Sequence, residues 1–294
     1  MKPSSFIISV VVPVYKDPDG LRDTLHSLSN QTLPRNAYEI IVVNDGGDPE
    51  TRKAAQMFGA VVVHDVKPRA GSYNARNAGL RLANAKFIAF VDADISVPME
   101  WAETGAALLN TYDYVGGAVK IDETKLRSLA DYYEYLTAFD NEINLKKKHY
   151  IPTANLFVQA AVFEKLGGFD ERLQSGGDVE FGNRVFESGE FSMSYSENLY
   201  VFHPPRGHRS LVEKYIRVKM GTTKLAELYP ERFLFYRISA KNVLVSLLDP
   251  VHKVLITKRK IRFSIKYKVI FWSILYGLVN AVNLSKIKWS QTKT

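Results

Sequence analysis

Two carboxylates stand at alternate positions directly after an apolar run. Asp92 and Asp94 follow Phe87–Val91 and are separated by one alanine. Carboxylate oxygens suit a hard divalent cation such as Mg²⁺ or Mn²⁺, which can also bind two phosphates. Such a cation neutralises the charge that builds up on a departing diphosphate. The alternative is a capped turn, since aspartate is common where a strand ends.

A third carboxylate occupies a similar position after another apolar run. Asp45 follows Glu39–Val43 and is itself followed by two glycines. An acidic residue at the end of a buried strand can accept hydrogen bonds from a ribose or a nucleobase. The alternative is an ordinary Asn-Asp-Gly turn.

Cationic side chains come before and within the next predicted helix. Lys67 and Arg69 precede Gly71, and Arg76 lies inside the helix. Arginine is a natural partner for phosphate oxygens, and the helix N-terminus would add partial positive charge. For Lys67 and Arg69, solvated surface is an equal alternative.

Two further residues could take part in catalysis. Asp178 follows Gly176 and Gly177 at the start of a predicted helix, where it could act as a general base or simply cap the helix. His203 ends a predicted strand, and a neutral imidazole there could complete a metal site. A structural role is the alternative for His203, and His208 and Arg209 could compete for an anion.

The elements that must position these residues alternate along the N-terminal two thirds of the chain. The predicted strands are Phe6–Val14, Glu39–Val43, Ala60–His64, Lys86–Val91, Tyr112–Val119 and Met193–His203. The predicted helices are Gly20–Asn30, Pro49–Phe58, Ser72–Ala83, Met99–Leu109, Ser128–Lys147, Asp178–Glu187 and Lys214–Leu228. This alternation predicts an α/β fold with a mostly parallel sheet covered by helices on both faces. The carboxyl ends of parallel strands would bring Asp45, Asp92 and Asp94 to one cleft.

Composition limits the chemistry and separates two parts of the chain. The 294 residues contain no cysteine, which excludes disulfides and zinc–thiolate sites. The apolar run Phe6–Val14 is rich in valine and predicts a strand, not a signal peptide. The net charge is +8, and 19 basic against 4 acidic residues lie from Arg206 onward. Such asymmetry predicts that the two parts meet different surroundings.

The basic C-terminal part is also apolar. A helix break is expected at Asp249-Pro250. The apolar stretch Val269–Leu284 is shorter than the ~20 residues of a spanning helix. We therefore expect interfacial helices on an anionic membrane surface. The alternatives are a single short span, a packed helical subdomain or a homo-oligomer contact. Nucleic acid is not an expected partner, because aliphatic residues dilute the basic ones and no recognition motif occurs.

The order of the motifs resembles family 2 glycosyltransferases. The motifs are Val11-Val-Pro-Val-Tyr15, Ile41-Val-Val-Asn-Asp45, Asn74-Ala-Arg-Asn-Ala-Gly79, Phe90-Val-Asp-Ala-Asp94, Gly167-Gly-Phe-Asp170 and Gly177-Asp178. The resemblance covers about residues 6–205. It implies a GT-A, Rossmann-like fold, to which the basic helical extension is added. We expect a catalytic domain at 1–209 and a membrane-associating region at 210–294.

The resemblance also implies a role for each matching residue. Pro13, Tyr15 and Asp45 would line the nucleobase and ribose pocket. Arg76 would hold diphosphate or sugar, and Asp92 would touch ribose or sugar. Asp94 and His203 would bind Mg²⁺ or Mn²⁺, and Asp178 would be the catalytic base.

Two departures from the family pattern stand out. Gly177 replaces the usual glutamate before the base, which makes Glu180 a second candidate, and no Gln-x-x-Arg-Trp motif of processive synthases follows His203.

The resemblance implies an inverting, metal-dependent and non-processive transferase. It would move a sugar from a nucleoside diphosphate donor, most commonly UDP, to a hydroxyl of a glycan or of a membrane-proximal or lipid-linked acceptor. The expected location is the cytoplasmic side of the cell membrane, as a peripheral or monotopic protein. The alternatives are an inactive scaffold of a membrane assembly and a sugar nucleotidyltransferase. The latter would be expected to have a glycine-rich N-terminal loop, which Val11–Asp17 does not offer.

Overall fold

A computed structural model describes residues 6–59, 61–67 and 71–291. Contacts divide the chain into two compact units. The first unit contains the residues up to Lys120 together with Phe139–His203. The second contains Ile121–Ala138 together with the residues from Pro204 onward. The functional boundary near residue 209 stays a prediction, although the compact second unit also takes in Ile121–Ala138.

The first half of the sheet is parallel. Its strands are β1 (Ile8–Val14), β2 (Tyr38–Asp45), β3 (Val61–Val66) and β4 (Phe87–Val91), and the helices between them are α1 (Pro18–Ser29), α2 (Pro49–Gln56) and α3 (Ser72–Leu82). β1 lies between β2 and β4, with Val10 opposite both Ile40 and Ala89. The carboxyl ends of three neighbouring strands therefore meet at one edge of the sheet.

The second half of the sheet is mixed. It follows α4 (Trp101–Leu109) and consists of β5 (Tyr114–Ile121), β6 (Asn155–Gln159) and β7 (Met193–His203). The strand order is β3-β2-β1-β4-β6-β5-β7, and β6 runs antiparallel to both β4 and β5. The remaining helices of this part are α5 (Leu129–Thr137), α6 (Asn141–Lys148), α7 (Ala160–Leu166) and α8 (Gly177–Ser188). The expected α/β class is confirmed.

The core explains why the central strands are apolar on both faces. One face of β1 packs with α1 through Leu21 and Leu25, which are fully buried. On the other face, α3 approaches so closely that a Cβ on Gly79 would lie 2.4 Å from a methyl carbon of Val11. Burying one such aliphatic side chain contributes roughly 1.5–3 kcal/mol. This packing fixes the ends of β1 and α3, which carry predicted site residues.

The second unit is helical. Besides α5 it contains α9 (His208–Leu228), α10 (Pro230–Phe233), α11 (Ala240–Ile256) and α12 (Phe263–Gln291). α11 and α12 pack closely, since a Cβ on Gly277 would lie 2.3 Å from the carbonyl oxygen of Leu247. The segment Phe263–Ile287 is long and apolar enough to cross a membrane, by length and composition.

Two predictions about helices were wrong. The stretch Ser128–Lys147 forms two helices, α5 and α6, because Phe139 between them adopts a left-handed conformation with φ 56°. Pro250 lies inside the continuous helix α11, where it removes one backbone hydrogen bond while packing against α12 retains the helix. The apolar stretch Val269–Leu284 belongs to a 29-residue helix, so its length does not argue against a span.

Candidate functional site

The predicted nucleotide-binding residues lie at the carboxyl edge of the parallel strands. Asp45 ends β2 and is buried, whereas Tyr15 directly follows β1 and is exposed. Pro13 is half-buried near the end of β1. Gly46 and Gly47 both have positive φ values, of 96° and 65°, so the chain turns sharply after Asp45. This edge offers one exposed ring beside one buried carboxylate.

The loop that carries Asp92 and Asp94 is anchored to α1. The hydroxyl of Thr24 accepts a 3.1 Å hydrogen bond from the backbone N–H of Ile95. A Cβ on Gly20 would lie 2.9 Å from the carbonyl oxygen of Ala93, so only glycine allows this approach. The first helix therefore holds the two aspartates in place.

Arg76 pairs with the first of these aspartates. Its Nη2 donates a 2.6 Å hydrogen bond to Oδ1 of Asp92, and Nη1 donates to the carbonyl oxygen of Ser72 at 3.2 Å. Arg76 is only 5% exposed, whereas the Asp92 side chain is 34% exposed. This ion pair fixes a buried guanidinium beside the Asp92–Asp94 loop.

Asp94 meets His203, the other predicted metal ligand. A short antiparallel bridge between Ser96 and Phe202 joins the loop to the end of β7. It places Nε2 of His203 3.5 Å from Oδ2 of Asp94. Among the described residues, no group of three or more His, Cys, Asp or Glu could hold a metal ion. The pair nonetheless fits Mg²⁺ or Mn²⁺, because such ions bind through few protein ligands and complete their shell with phosphates and water.

Asp178 is held by a tyrosine from α3. The hydroxyl of Tyr73 donates a 3.0 Å hydrogen bond to Oδ1 of Asp178, and the backbone N–H of Val179 donates to the same oxygen at 3.0 Å. Burial raises the pKa of Asp178, while the Tyr73 hydrogen bond and the Arg76 charge offset part of that effect. A carboxylate with a raised pKa is a better proton acceptor.

Glu180, the second candidate for the base, is engaged elsewhere. Nε and Nη2 of Arg184 donate to its two carboxylate oxygens at 2.9 and 2.7 Å. Nη2 of Arg184 also donates to the carbonyl oxygen of Gly168 at 2.7 Å. Glu180 thus orients an arginine that supports the loop before α8.

Asn77 supports the same loop from α3. Its Nδ2 donates to the carbonyl oxygen of Phe169 at 2.8 Å, and its Oδ1 accepts from the N–H of Phe169 at 2.9 Å. The phenyl ring of Phe169 lies 5.6 Å from the ring of Tyr73. The sequence interpretation gave no role to Tyr73, Asn77 or Arg184. Two signals were available: Asn77 belongs to a recognised motif, and Arg184 lies one helical turn after Glu180. The contact of Tyr73 with Asp178 is long-range and gave none.

The structure joins some predicted residues and not others. Arg76 contacts Asp92. Asp94 lies near His203. Lys67, in contrast, is exposed. Arg69 lies outside the described residues. His208 and Arg209 belong to the helical unit at the start of α9.

The chain is similar in sequence to known glycosyltransferases. Residues 9–166 match the sequence model of Glycosyl transferase family 2. The chain is 31% identical to the glycosyltransferase AglE of Haloferax volcanii over 222 residues, which cover 73% of this chain and 72% of AglE. It is 26% identical to the pre-mycofactocin glycosyltransferase of Mycobacterium tuberculosis over 234 residues, covering 74% of this chain and 46% of that protein.

Solved structures share the fold. The mannosyltransferase PcManGT of Pyrobaculum calidifontis, in complex with GDP-Man and Mn²⁺, superposes with a TM-score of 0.61 at 16% identity, covering 94% of this chain and 86% of that one. TarS 1-349 of S. aureus in complex with UDP superposes with a TM-score of 0.55 at 17% identity. The match covers 97% of this chain and 92% of that one. The fold is therefore of the GT-A type. On the sequence matches, the chain belongs to glycosyl transferase family 2.

Proposed function

We propose that this glycosyltransferase moves a sugar, with inversion, from a UDP-sugar to a hydroxyl of a glycan or of a membrane-proximal or lipid-linked acceptor, without processivity. The observation that carries the proposal is that α3 contacts both a predicted donor-binding residue and the predicted base. Arg76 on this helix pairs with Asp92 in the predicted donor region, and Tyr73, one turn earlier, holds Asp178. The leaving diphosphate and the incoming hydroxyl would thus be aligned by one rigid element.

Asp178 is the proposed base. As the acceptor oxygen forms its bond to the anomeric carbon, the hydroxyl proton passes to the carboxylate and the bond from that carbon to the nucleotide diphosphate breaks. Because both hydrogen bonds described above fall on Oδ1, Oδ2 would receive the proton. The engagement of Glu180 with Arg184 supports Asp178 over Glu180 in this role.

The donor would bind at the carboxyl edge of β1 and β2. The Tyr15 ring would lie against the base, Pro13 would line the pocket, and Asp45 would accept hydrogen bonds from the nucleobase or ribose. Support for a nucleotide sugar comes from fold neighbours solved with UDP, UDP-GlcNAc and GDP-Man. UDP is the nucleotide we propose, and GDP and dTDP are the competing outcomes of a binding test.

Asp94 and His203 would hold Mg²⁺ or Mn²⁺ together with the donor phosphates. When bound, the cation would neutralise negative charge on the departing nucleotide. Asp94 can supply an oxygen ligand and neutral His203 a nitrogen ligand. The Mn²⁺ in the PcManGT complex supports this choice of metal.

The helical unit would rest on the cytoplasmic face of an anionic membrane. α12 exposes an apolar stripe, whose residues are three or four positions apart: Phe263, Tyr267, Phe271, Leu275, Leu278 and Val282. Its packed face buries Val269, Tyr276 and Leu284 together with the polar residues Ser273 and Asn280. A helix that is apolar on its exposed side as well as on its packed side fits one lipid-facing side, and the basic segment 258–262 next to it would attract anionic headgroups.

The activity is tested by release of the nucleoside diphosphate from a panel of UDP-, GDP- and dTDP-sugars, with and without Mn²⁺. We expect Mn²⁺-dependent release from one donor class, lowered by at least about 100-fold in Asp94→Ala and Asp178→Asn. Glu164→Gln, which changes an exposed carboxylate on α7, is the matched control and should retain full activity. If folded wild type binds a donor but releases nothing with any acceptor fraction, the scaffold alternative is favoured instead.

A further inference from the structure

Tyr73 occupies an unusual position beside the proposed base. Its side chain is 5% exposed, packed against Phe169, with the hydroxyl directed at Asp178. The guanidinium of Arg76 lies 5.6 Å from the centre of its ring. A phenol placed between a buried cation and a carboxylate is costly unless its hydroxyl is hydrogen-bonded, and Asp178 supplies that partner.

Gly177 makes room for this ring. A Cβ at position 177 would lie 2.8 Å from two carbons of the Tyr73 ring, which is too close for any side chain. Gly177 does not have a left-handed φ, so space and not backbone conformation requires glycine here. The glutamate that commonly precedes the base in this family has no room in this chain. The Tyr73 ring lies where it would clash with the Cβ of such a glutamate.

We propose that Tyr73 is the positioning residue of Asp178: its hydroxyl holds Oδ1, so that Oδ2 faces the acceptor hydroxyl. The inference rests on the proposed role of Asp178 as the base. Tyr73 touches neither donor nor acceptor in this scheme, and it acts through the carboxylate it holds. Tyr73 and Gly177 form a matched pair that takes over from the missing glutamate.

The surroundings of Asp178 give the direction of the electrostatic effect. Tyr73 and Arg76 face it from α3, and Tyr114 faces it from β5. Burial, followed by the charge of Asp178, raises the pKa of Tyr73 so far that the phenol stays a donor at all working pH values. Its hydrogen bond stabilises the ionised carboxylate, so removing the hydroxyl should raise the pKa of Asp178 further.

The test is Tyr73→Phe in the full chain, which removes the hydroxyl and keeps the ring. We expect kcat to fall roughly tenfold with donor KM changed less than about twofold, and the acid limb of the rate profile to move up by roughly half to one pH unit. Independently of activity, ¹³C NMR of labelled aspartate carboxyls, assigned with Asp178→Asn, should show the same rise in the pKa of Asp178. An unchanged carboxyl titration overturns the positioning role, even if wild type proves to be no transferase.

A second pair of variants separates positioning from folding. Gly177→Ala should lower kcat by displacing the ring, but it should cost much less in a Tyr73→Ala background, where the space is empty. Equal losses of kcat in both backgrounds would contradict the matched pair. The thermal midpoint of each variant shows whether it is folded at the assay temperature.

Discussion

Nε2 of His203 lies 3.5 Å from Oδ2 of Asp94, although Asp94 follows β4 and His203 ends β7, which are not neighbours in the sheet. The imidazole is fully buried and packs 5.5 Å from the ring of Phe139, so its orientation is set by the fold. A pair that is already oriented loses little entropy when it binds a cation.

This arrangement predicts a specific effect of His203→Ala. The Mn²⁺ concentration required for half-maximal activity should rise at least tenfold, in line with the loss of one of few protein ligands. Titration of activity with Mn²⁺ at saturating donor measures the effect. His26→Ala, which removes an exposed histidine on α1, should leave the Mn²⁺ titration unchanged. If the activity of wild type does not depend on Mn²⁺, the proposal that His203 is a metal ligand is wrong.

The ion pair between Arg76 and Asp92 predicts a loss of stability in Asp92→Asn. Removing one charge leaves the buried guanidinium without its anionic partner. Because the Asp92 side chain is 34% exposed, we expect the free energy of unfolding to fall by about 2 kcal/mol, less than for a fully buried pair. Urea unfolding followed by tryptophan fluorescence measures this change. Asp19→Asn, at an exposed pair with Arg22, should cost less than about 0.5 kcal/mol.

Asp178→Asn should separate activity from stability. Loss of the proposed base should lower kcat by about 10²–10⁴. Because burial raises the pKa of Asp178 in the folded protein, its ionisation opposes folding above the ordinary carboxyl pKa. The variant should therefore unfold at the same or a higher temperature than wild type at pH 8. A clear drop in the thermal midpoint would instead favour a capping role for Asp178.

A buried carboxylate in the helical unit predicts acid sensitivity. Glu134 accepts hydrogen bonds from Nη1 of Arg206 at 2.8 Å and from Nζ of Lys214 at 3.1 Å. Burial alone would raise the pKa of Glu134, but Lys214 and Arg206 together hold it below its ordinary value. This stabilisation is present above the ordinary carboxyl pKa and is lost as pH falls through the lowered value.

Glu134→Gln would leave both cations facing each other. We expect a destabilisation of about 3–5 kcal/mol at pH 7 that shrinks toward acid pH. Thermal unfolding between pH 3 and pH 7 measures it. Glu213→Gln, at the exposed pair with Arg209, is the control and should change little. A pH-independent difference between Glu134→Gln and wild type would contradict the electrostatic origin.

The apolar stripe of α12 predicts membrane binding. Replacing Phe271, Leu275 and Leu278 by serine should reduce co-sedimentation with phosphatidylserine-containing vesicles at least tenfold, because each exposed side chain would otherwise enter the interface. Binding of wild type should be weaker to purely zwitterionic vesicles and should fall with salt. Met57→Ser, at an exposed apolar position in the sheet unit, should bind like wild type. Equal binding by the triple variant would refute the membrane-facing role.

The sequence was most informative where local pattern decides structure. The strand Met193–His203 was predicted with its observed ends, and β1, β2 and β4 within two residues, because β-branched and aromatic residues favour strands. The order of motifs also led to the correct family. The helix break at Phe139 was missed because it depends on one left-handed residue, which the helical spacing around it conceals.

Tertiary contacts account for what sequence reasoning missed. Pro250 is held within α11 by packing against α12, which outweighs the local preference for a break. Tyr73 gave no signal, because its contact with Asp178 joins two helices far apart in the chain. The glycine at 177 was noted as a departure, but only the position of the Tyr73 ring explains it.

The exposed apolar stripe on α12 has a practical consequence for work in solution. Without detergent, two copies can cover these side chains by placing their stripes together, so we expect the purified protein to self-associate. Its apparent mass would then fall when micelles are added. A dimer that forms only in buffer would be explained by the burial of these apolar side chains. An oligomer that persists in micelles or nanodiscs would be the one relevant to the cell.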